Sequence, residues 1–380
     1  MKKKNIAIVI TKLELGGAQI TALETAKRMD KEKFNVHLIS GGGGYLDSQA
    51  MGIEGISFVL MEDLKHPVSP VYDFKAMIKL KNYFMKNQID VVHTHSSKAG
   101  FIGRIAAKKA KVKKIIHTVH GFPFHEFQNP VLHYCYVLAE RYAAGFTHVL
   151  AAVGRDVKEY GLLNKTGKEG QYEIIRAGID IKKTEEAGSD RRNFLLQHGL
   201  EPGVFTVGMI GNFKKQKNPL EFAEIAEEAI SKNSGIQFIF AGDGPLREKT
   251  EKKLKEYGIA SKVKITGWID NPEEMIKSLD VFLLTSRWEG LPCTLAQAAA
   301  ARVPCIASDI RGNREIIREL NMGELYKPGD IKAAAAAIVL FKNMGRKPAE
   351  EYSEKAKDFL KEFDISHMVK QYEDVYARQG

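Results

Sequence analysis

The stretch "RWEGLPCTLAQAAA" (287–300) follows an apolar run with Glu289, Gly290, Leu291 and Pro292, then enters an alanine-rich segment carrying one amide, Gln297. A purely structural turn needs neither the carboxylate nor the amide. Proline is tolerated in a first helical turn and alanine extends a helix. Glu289 is therefore expected just ahead of a helix N-terminus, whose dipole favours anions, and Gln297 more than one turn inside. A carboxylate and an amide so placed can clasp different hydroxyls of one elongated ligand. A second loop, "GNFKKQKNP" (211–219), collects Lys214, Lys215 and Lys217 before a helix starting near Asn218-Pro219. Cations at a helix N-terminus suit a diphosphate, although a solvated lysine run would have the same composition.

Three more loops have residue types that fit this chemistry. "LELGGAQ" (13–19) places Gly16 and Gly17 at a helix start, where backbone N–H groups can approach a phosphate or sugar, or simply form a tight turn. It lacks the G-x-G-x-x-G dinucleotide fingerprint. "AGDGP" (241–245), with Gly242, and "ITGWID" (265–270), with Trp268, are further glycine loops at strand ends. The tetraglycine at 41–44 reads as a flexible loop. Histidines crowd "VVHTHSSKAG" and "IIHTVHGFPF" (91–100 and 115–124). His93 and His95 share a strand face, but no carboxylate or cysteine stands at ligand spacing, so no metal is expected. These histidines read instead as polar groups at the mouth of a crevice, with His120 at a strand end, or as histidines satisfied by backbone.

Positioning such loops requires strands that end where they begin. "NIAIVI", "NVHLIS", "ISFVLM", "DVVHTH", "KIIHTVH" and "THVLAAV" have strand length and β-branched content, and amphipathic segments separate several of them. The pattern restarts near 204 with "VFTVGMIG", "IQFIFAGDG", "KVKITGW", "DVFLLTS" and "PCIASD". Strand–helix alternation in both halves predicts two α/β doubly wound parallel sheets with right-handed crossovers. Ligands of such sheets bind beyond the strands' carboxyl ends. The segment near 181–203, with its polar stretch "IKKTEEAGSDRRN", reads as the join. The tail from 349 to 379 reads as one or two amphipathic helices that need an existing surface.

Bulk composition agrees. The 380 residues, 44% hydrophobic and 27% charged, suit two globular domains, and no window holds the roughly 18 apolar residues of a membrane span. The basic-then-apolar opening has too short an apolar run for a signal peptide and reads as a first strand. Three cysteines without metal spacing fit free thiols in a reducing cytosol. Residues 1–180 hold 26 Lys/Arg against 17 Asp/Glu, and the remainder 31 against 30. A basic first half implies an anionic partner or a solvated, soluble face. It lacks the aromatic-interleaved groove expected of nucleic-acid binding.

At these residues the chain resembles the GT-B-fold retaining glycosyltransferases of family 4. The motifs run in order through "LGGAQ", "HTHSSKAGFIGRIAA", "HTVHGF", "IIRAGID", "GNFKKQKNP", "AGDGPLREK", "KITGWID", "SRWEGLP", "VPCIASDIRGNREII" and the final helix. The resemblance implies two facing Rossmann-like domains: an acceptor domain over 1–182, a nucleotide-sugar domain over 183–360, and a helix over 361–380 that returns to the first. It implies a nucleotide-sugar donor, expected to be a UDP-sugar, and no cofactor or bound metal. Glu289 matches the first glutamate of the family's E-x7-E motif, Lys217 its diphosphate lysine and His120 the histidine near the donor sugar. Further donor contacts are implied at Gly16, Gly17, Asn212, Lys215, Gly242, Trp268, Gly290, Leu291, Gln297 and Glu315.

Three positions depart from the family pattern. Gln297 replaces the second glutamate, Asn212 replaces an arginine, and Arg302 replaces a glycine. An amide oxygen still accepts a hydrogen bond, without the strengthening a charge gives. Lys214 or Lys215 can substitute for the arginine, without its bidentate fork. Glutamine variants resemble enzymes building capsule or O-antigen chains on lipid-linked intermediates. The implied function is transfer of a sugar, with retention, to a saccharide or lipid-diphosphate-linked acceptor in the cytoplasm at the inner membrane face. Segment 106–114 is a candidate contact with anionic lipid. An epimerase on the same fold and a catalytically silent sugar-nucleotide-binding partner are the alternatives.

Overall fold

A computed structural model describes residues 3–188, 190–345 and 354–378. The chain divides into two compact units, Met1–Gly178 with Ile365–Gly380, and Ile179–Asp364. The divisions thus fall after Gly178 and Asp364 rather than after 182 and 360. The expected join is itself structured. Its polar residues form helices Ile181–Glu186 and Arg191–Gln197, begun by Asp180 and Asp190, whose carboxylates accept from the Lys183 and Asn193 N–H groups at 2.9 Å each. Such caps satisfy otherwise orphaned donors, and Phe194 and Leu195 anchor the second helix in the interior.

The first unit has seven parallel strands: β1 (Lys4–Lys12), β2 (Phe34–Gly41), β3 (Ile56–Leu60), β4 (Val91–Thr94), β5 (Lys114–Val119), β6 (Val149–Ala152) and β7 (Tyr172–Ile174). They lie in the order β3-β2-β1-β4-β5-β6-β7. In β1, Ile6 to Ile10 are all fully buried, which explains an unbroken apolar run: a parallel sheet is covered on both faces. The second unit has six parallel strands: β8 (Phe205–Ile210), β9 (Ile236–Ala241), β10 (Val263–Gly267), β11 (Val281–Leu284), β12 (Cys305–Ser308) and β13 (Gly323–Tyr326). Their order is β10-β9-β8-β11-β12-β13. In each sheet the strand order reverses once, between β1 and β4 and between β8 and β11. That reversal opens the crevice in which doubly wound sheets bind ligands.

One sequence expectation changes, and another is met. Gly41 and Gly44 do not form a loose tether. A Cβ at Gly41 would lie 2.1 Å from the Leu64 carbonyl oxygen, and one at Gly44 2.5 Å from that of Leu13. The glycines permit close backbone packing there. The tail forms helices Glu354–Lys361 and Ile365–Ala377, while positions 349–353 and 379 lie outside the described residues. On the final helix Ile365, Met368, Val369, Tyr372 and Tyr376 recur at helical spacing and complete the core around Ile6, Ile8 and Ile10. No helix among the described residues is long and apolar enough to cross a membrane.

Candidate active site

In the second unit, the loops leaving β8 and β11 are tied together at the strand-order reversal. After β8 the chain runs through 211–218 into helix Pro219–Lys232, with Asn218 left-handed (φ 52°) at its start. Thr285, just past β11, donates its hydroxyl to the carbonyls of Lys217 (2.8 Å) and Asn218 (3.2 Å). The Arg287 N–H donates to the Gln216 carbonyl at 2.7 Å. These bonds bring Lys217 and Glu289, 72 residues apart in the chain, into contact: Lys217 Nζ lies 2.6 Å from Glu289 Oε1. The two side chains are 15% and 8% exposed. Ser286 Oγ donates to the same Oε1 at 2.7 Å, and Gln216 Nε2 lies 3.3 Å from Oε2.

The next loop braces this pair. Ser308 Oγ, at the end of β12, donates to the Ser286 carbonyl at 2.5 Å, and Asn313 Nδ2 donates to the Ser308 carbonyl at 2.9 Å. Gly312 (φ 77°) packs so tightly that a Cβ there would lie 2.4 Å from the Gly290 oxygen. Gly290 and Leu291 are buried beside Glu289, and Glu315 is nearly buried in the first turn of helix Asn313–Leu320. Gly242 (φ 145°) likewise lets the end of β9 touch the Gly211 carbonyl, where a Cβ would come within 1.9 Å.

The other expected residues of the second unit sit on separate elements. Asn212 is half-buried in the Lys217 loop, and Lys214 and Lys215 are exposed. Gln297 is half-buried on helix Cys293–Ala300, and its side chain makes no hydrogen bond among the described residues. Trp268 stands exposed after β10. Sequence reasoning missed Ser286, Gln216, Thr285, Ser308 and Asn313, which orient the charged pair; small polar residues within a turn carry no periodic signal. Burial raises the nearby Cys293 thiol to about 11, Lys217 pulling it down and Glu289 pushing it further up. Cys293 therefore stays protonated at neutral pH and is no nucleophile.

In the first unit, Gly16 adopts extended backbone and Gly17 opens helix Gly17–Arg28 after β1. The histidines require a correction. His93, His95 and His117 are buried in the sheet, not exposed at a mouth. His93 Nδ1 lies 2.6 Å from Tyr376 Oη and its Nε2 2.7 Å from Thr118 Oγ1, while His117 Nδ1 lies 2.9 Å from Thr94 Oγ1. Partners on the final helix and on neighboring strands thus hold His93 and His117 internally, whereas His95 Nε2 is buried without a hydrogen-bond partner among the described residues. His120 is half-buried just past β5, its Nε2 2.9 Å from His95 Nδ1. Burial pushes His93 and His120 down to about 3, and also lowers His95 and His117. Both rings of the His95–His120 pair are thus neutral near pH 7, one donating and the other accepting. The pairing uses Nε2 of His120, so Nδ1 is its nitrogen without a protein partner among the described residues. No group of three or more His, Cys, Asp or Glu able to hold a metal occurs among them.

Comparison with known proteins identifies the family and the fold. Residues 15–183 match the model described as "Glycosyltransferase Family 4", and residues 190–359 the one described as "Glycosyl transferases group 1". The chain is 31% identical over 334 residues to the Escherichia coli UDP-Gal:alpha-D-GlcNAc-diphosphoundecaprenol alpha-1,3-galactosyltransferase, covering 86% of this chain and 84% of that protein. It is 22% identical to the Staphylococcus aureus capsular polysaccharide biosynthesis glycosyltransferase CapM, over 81% of this chain and 80% of CapM. Among solved structures, Anabaena HepE in complex with UDP and glucose superposes with a TM-score of 0.82 at 18% identity, covering 97% of this chain and 98% of HepE. The lipopolysaccharide glycosyltransferase WaaG superposes with a TM-score of 0.76 at 14% identity, covering 98% and 99%. The chain belongs to the family 4, group 1 glycosyltransferases and has their GT-B fold.

Proposed function

We propose that the protein transfers a sugar, with retention and without a metal ion, from a UDP-sugar to a lipid-diphosphate-linked saccharide during assembly of a cell-surface polysaccharide. One observation carries this reading: the Lys217–Glu289 pair at the strand-order reversal of the second unit. An ammonium has three donors. One reaches Glu289, leaving two for the oxygens of a diphosphate. The Glu289 carboxylate takes Lys217 and Ser286 at Oε1, and its Oε2 has lone-pair capacity for a sugar hydroxyl. Exposed Lys214 and Lys215 and the N-terminus of helix Pro219–Lys232 add positive potential on the same loop.

Chemically, the bond from the anomeric carbon to the diphosphate oxygen breaks while the acceptor oxygen bonds to that carbon on the same face. The acceptor proton passes to the departing phosphate oxygen. Lys217 and the helix start stabilize the charge developing there. Glu289 orients the sugar ring, and the family resemblance adds His120, neutral and paired with His95, as a donor-sugar contact. The family resemblance adds the Gly16–Gly17 turn as a diphosphate contact and Gln297 as a ribose contact. The diphosphoundecaprenol-linked acceptor of the Escherichia coli relative supports a lipid-linked saccharide, and the basic first half supports a place on the inner face of the cytoplasmic membrane. Incubating the protein with a panel of UDP- and GDP-sugars and a synthetic lipid-diphosphate saccharide tests this. Acceptor-dependent UDP release with an axial product linkage is expected; hydrolysis or isomerization without acceptor refutes it.

A further inference from the structure

Helix Pro130–Ala144, "PVLHYCYVLAERYAA", is apolar on its outward face as well as along most of its buried one. Its buried side includes Glu140, whose carboxylate pairs with the fully buried Arg104 at 2.7 Å. Its outward side is apolar: Val131, Leu132, Tyr134, Leu138 and Tyr142 are all exposed, Val131 by 73% and Tyr142 by 59%. The loop before it exposes Phe127. A soluble helix normally keeps its outward face polar, and an apolar stripe of this length marks an interaction surface.

Its surroundings identify the partner. Helix Ser97–Lys109 lies between this helix and helix Pro70–Lys86, joined to one by Arg104–Glu140 and to the other by Lys98–Asp73 at 2.5 Å. Helix Pro70–Lys86 likewise exposes Val71, Phe74 and Ile78, interleaved with exposed Lys75 and Lys79. Lys108 lies 4.4 Å from the Phe146 ring and 5.7 Å from that of Tyr142. Residues 65–144 hold 13 Lys/Arg against four Asp/Glu, net +9, which equals the net charge of the whole segment 1–180. Apolar stripes flanked by lysines match an anionic bilayer, whose headgroups take the ammonium groups while its acyl boundary takes the apolar side chains. A second copy of the same surface would instead bring these positive charges face to face. Lys114, the last residue of the segment expected to contact lipid, is not part of this surface: it is buried, donating to the Val375 and Arg378 carbonyls at 2.8 and 3.0 Å.

We infer that the outward faces of helices Pro130–Ala144 and Pro70–Lys86 insert shallowly into an anionic bilayer, the lysines between them holding the protein to its headgroups. This deepens the proposed function, since it names the surface on which a lipid-linked acceptor would be met. The native sequence supplies the probe: Cys135 is exposed on the inserting helix, whereas Cys293 is half-buried and Cys305 buried. Protein labeled at Cys135 with an environment-sensitive fluorophore is mixed with vesicles of phosphatidylethanolamine and phosphatidylglycerol, or of phosphatidylcholine alone. Emission is expected to shift blue on the anionic vesicles, and binding to fall at least tenfold between about 0.1 and 0.5 M salt. The variant Val131→Ser/Leu138→Ser/Tyr142→Ser should bind at least tenfold more weakly, with unchanged melting and unchanged UDP release on a water-soluble acceptor. Equal vesicle binding by variant and wild type, binding that ignores lipid charge, or a dimer in solution that the variant dissociates would overturn the inference. Because UDP release on a soluble acceptor is read without vesicles, loss of transfer and loss of docking are seen separately.

Discussion

Acidification should destabilize the first unit and spare the second. His93 is fully buried between Tyr376 and Thr118, with its ring 4.2 Å from that of His95 and with Tyr372 also packed against it. Burial, then the nearby His120, lowers its pKa to about 3, against about 6.5 in an unfolded chain. With a depressed native pKa, the unfolded state binds more protons between these values, so stability is fully present above about pH 6.5 and declines as pH falls toward 3. At pH 5 the loss from His93 alone is about 2 kcal/mol, from 1.36 kcal/mol per unit over the roughly 1.5 units below the unfolded value. His95, His117 and His120 shift in the same direction and add to it. Ten of the eleven histidines lie in the first unit, and only His198 in the second. In the second unit Glu221 is shifted up, mainly by burial, so protonating it on acidification does not destabilize the fold. Urea titrations at pH 7 and 5 would separate the units. Both tryptophans, Trp268 and Trp288, report the second, while circular dichroism sees both. The variant His93→Gln keeps polar contacts without titrating. Its stability difference between pH 7 and 5 should be smaller than that of wild type by about 2 kcal/mol. Equal pH dependence in the two proteins would refute the reasoning.

Glu289→Gln leaves Lys217 without its charge partner in a largely buried setting and should cost about 2–4 kcal/mol by thermal unfolding. Lys217→Met/Glu289→Leu should return to within about 1 kcal/mol of wild type while releasing no UDP, since the pair serves the ligand more than the fold. Gly312→Ala would force a Cβ into the Gly290 oxygen from a left-handed backbone. It should lower stability by about 2 kcal/mol and weaken the melting-point shift given by UDP, a loss absent if the loop is not rigid. Gln297→Glu restores a charged acceptor and should tighten UDP binding about fivefold by calorimetry; unchanged affinity would remove Gln297 from the ribose contact.

Most of the sheet architecture can be read from the chain because buried parallel strands are continuous apolar runs such as "IAIVI" and "VFLL". The two strands that escape are β7 ("YEI") and β13 ("GELY"), short edge strands each interrupted by a glutamate, so neither is an apolar run. The helices within the polar join carry no apolar period, and capping by Asp180 and Asp190 is what forms them. At the site, Lys217 and Glu289 stand out because charged residues at strand ends demand an explanation. The hydroxyls and amides that aim them do not stand out, since a serine in a turn is ordinary until its partner 22 residues away is known, as for Ser286 and Ser308. The histidines show the converse. A cluster conspicuous in sequence is largely a core network, with His95 Nε2 buried and unpartnered among the described residues and His120 half-buried beside a strand end with a ring nitrogen to offer.

The central claim is that Lys217, held by Glu289, stabilizes the departing diphosphate in place of a metal. Its most direct test is acceptor-dependent UDP release measured in excess EDTA for the wild type and for Lys217→Ala. Undiminished turnover of the wild type, with at least a roughly 100-fold lower kcat for the variant, is predicted. Wild-type turnover abolished by EDTA and restored by a divalent cation, or a variant as fast as wild type, would contradict it.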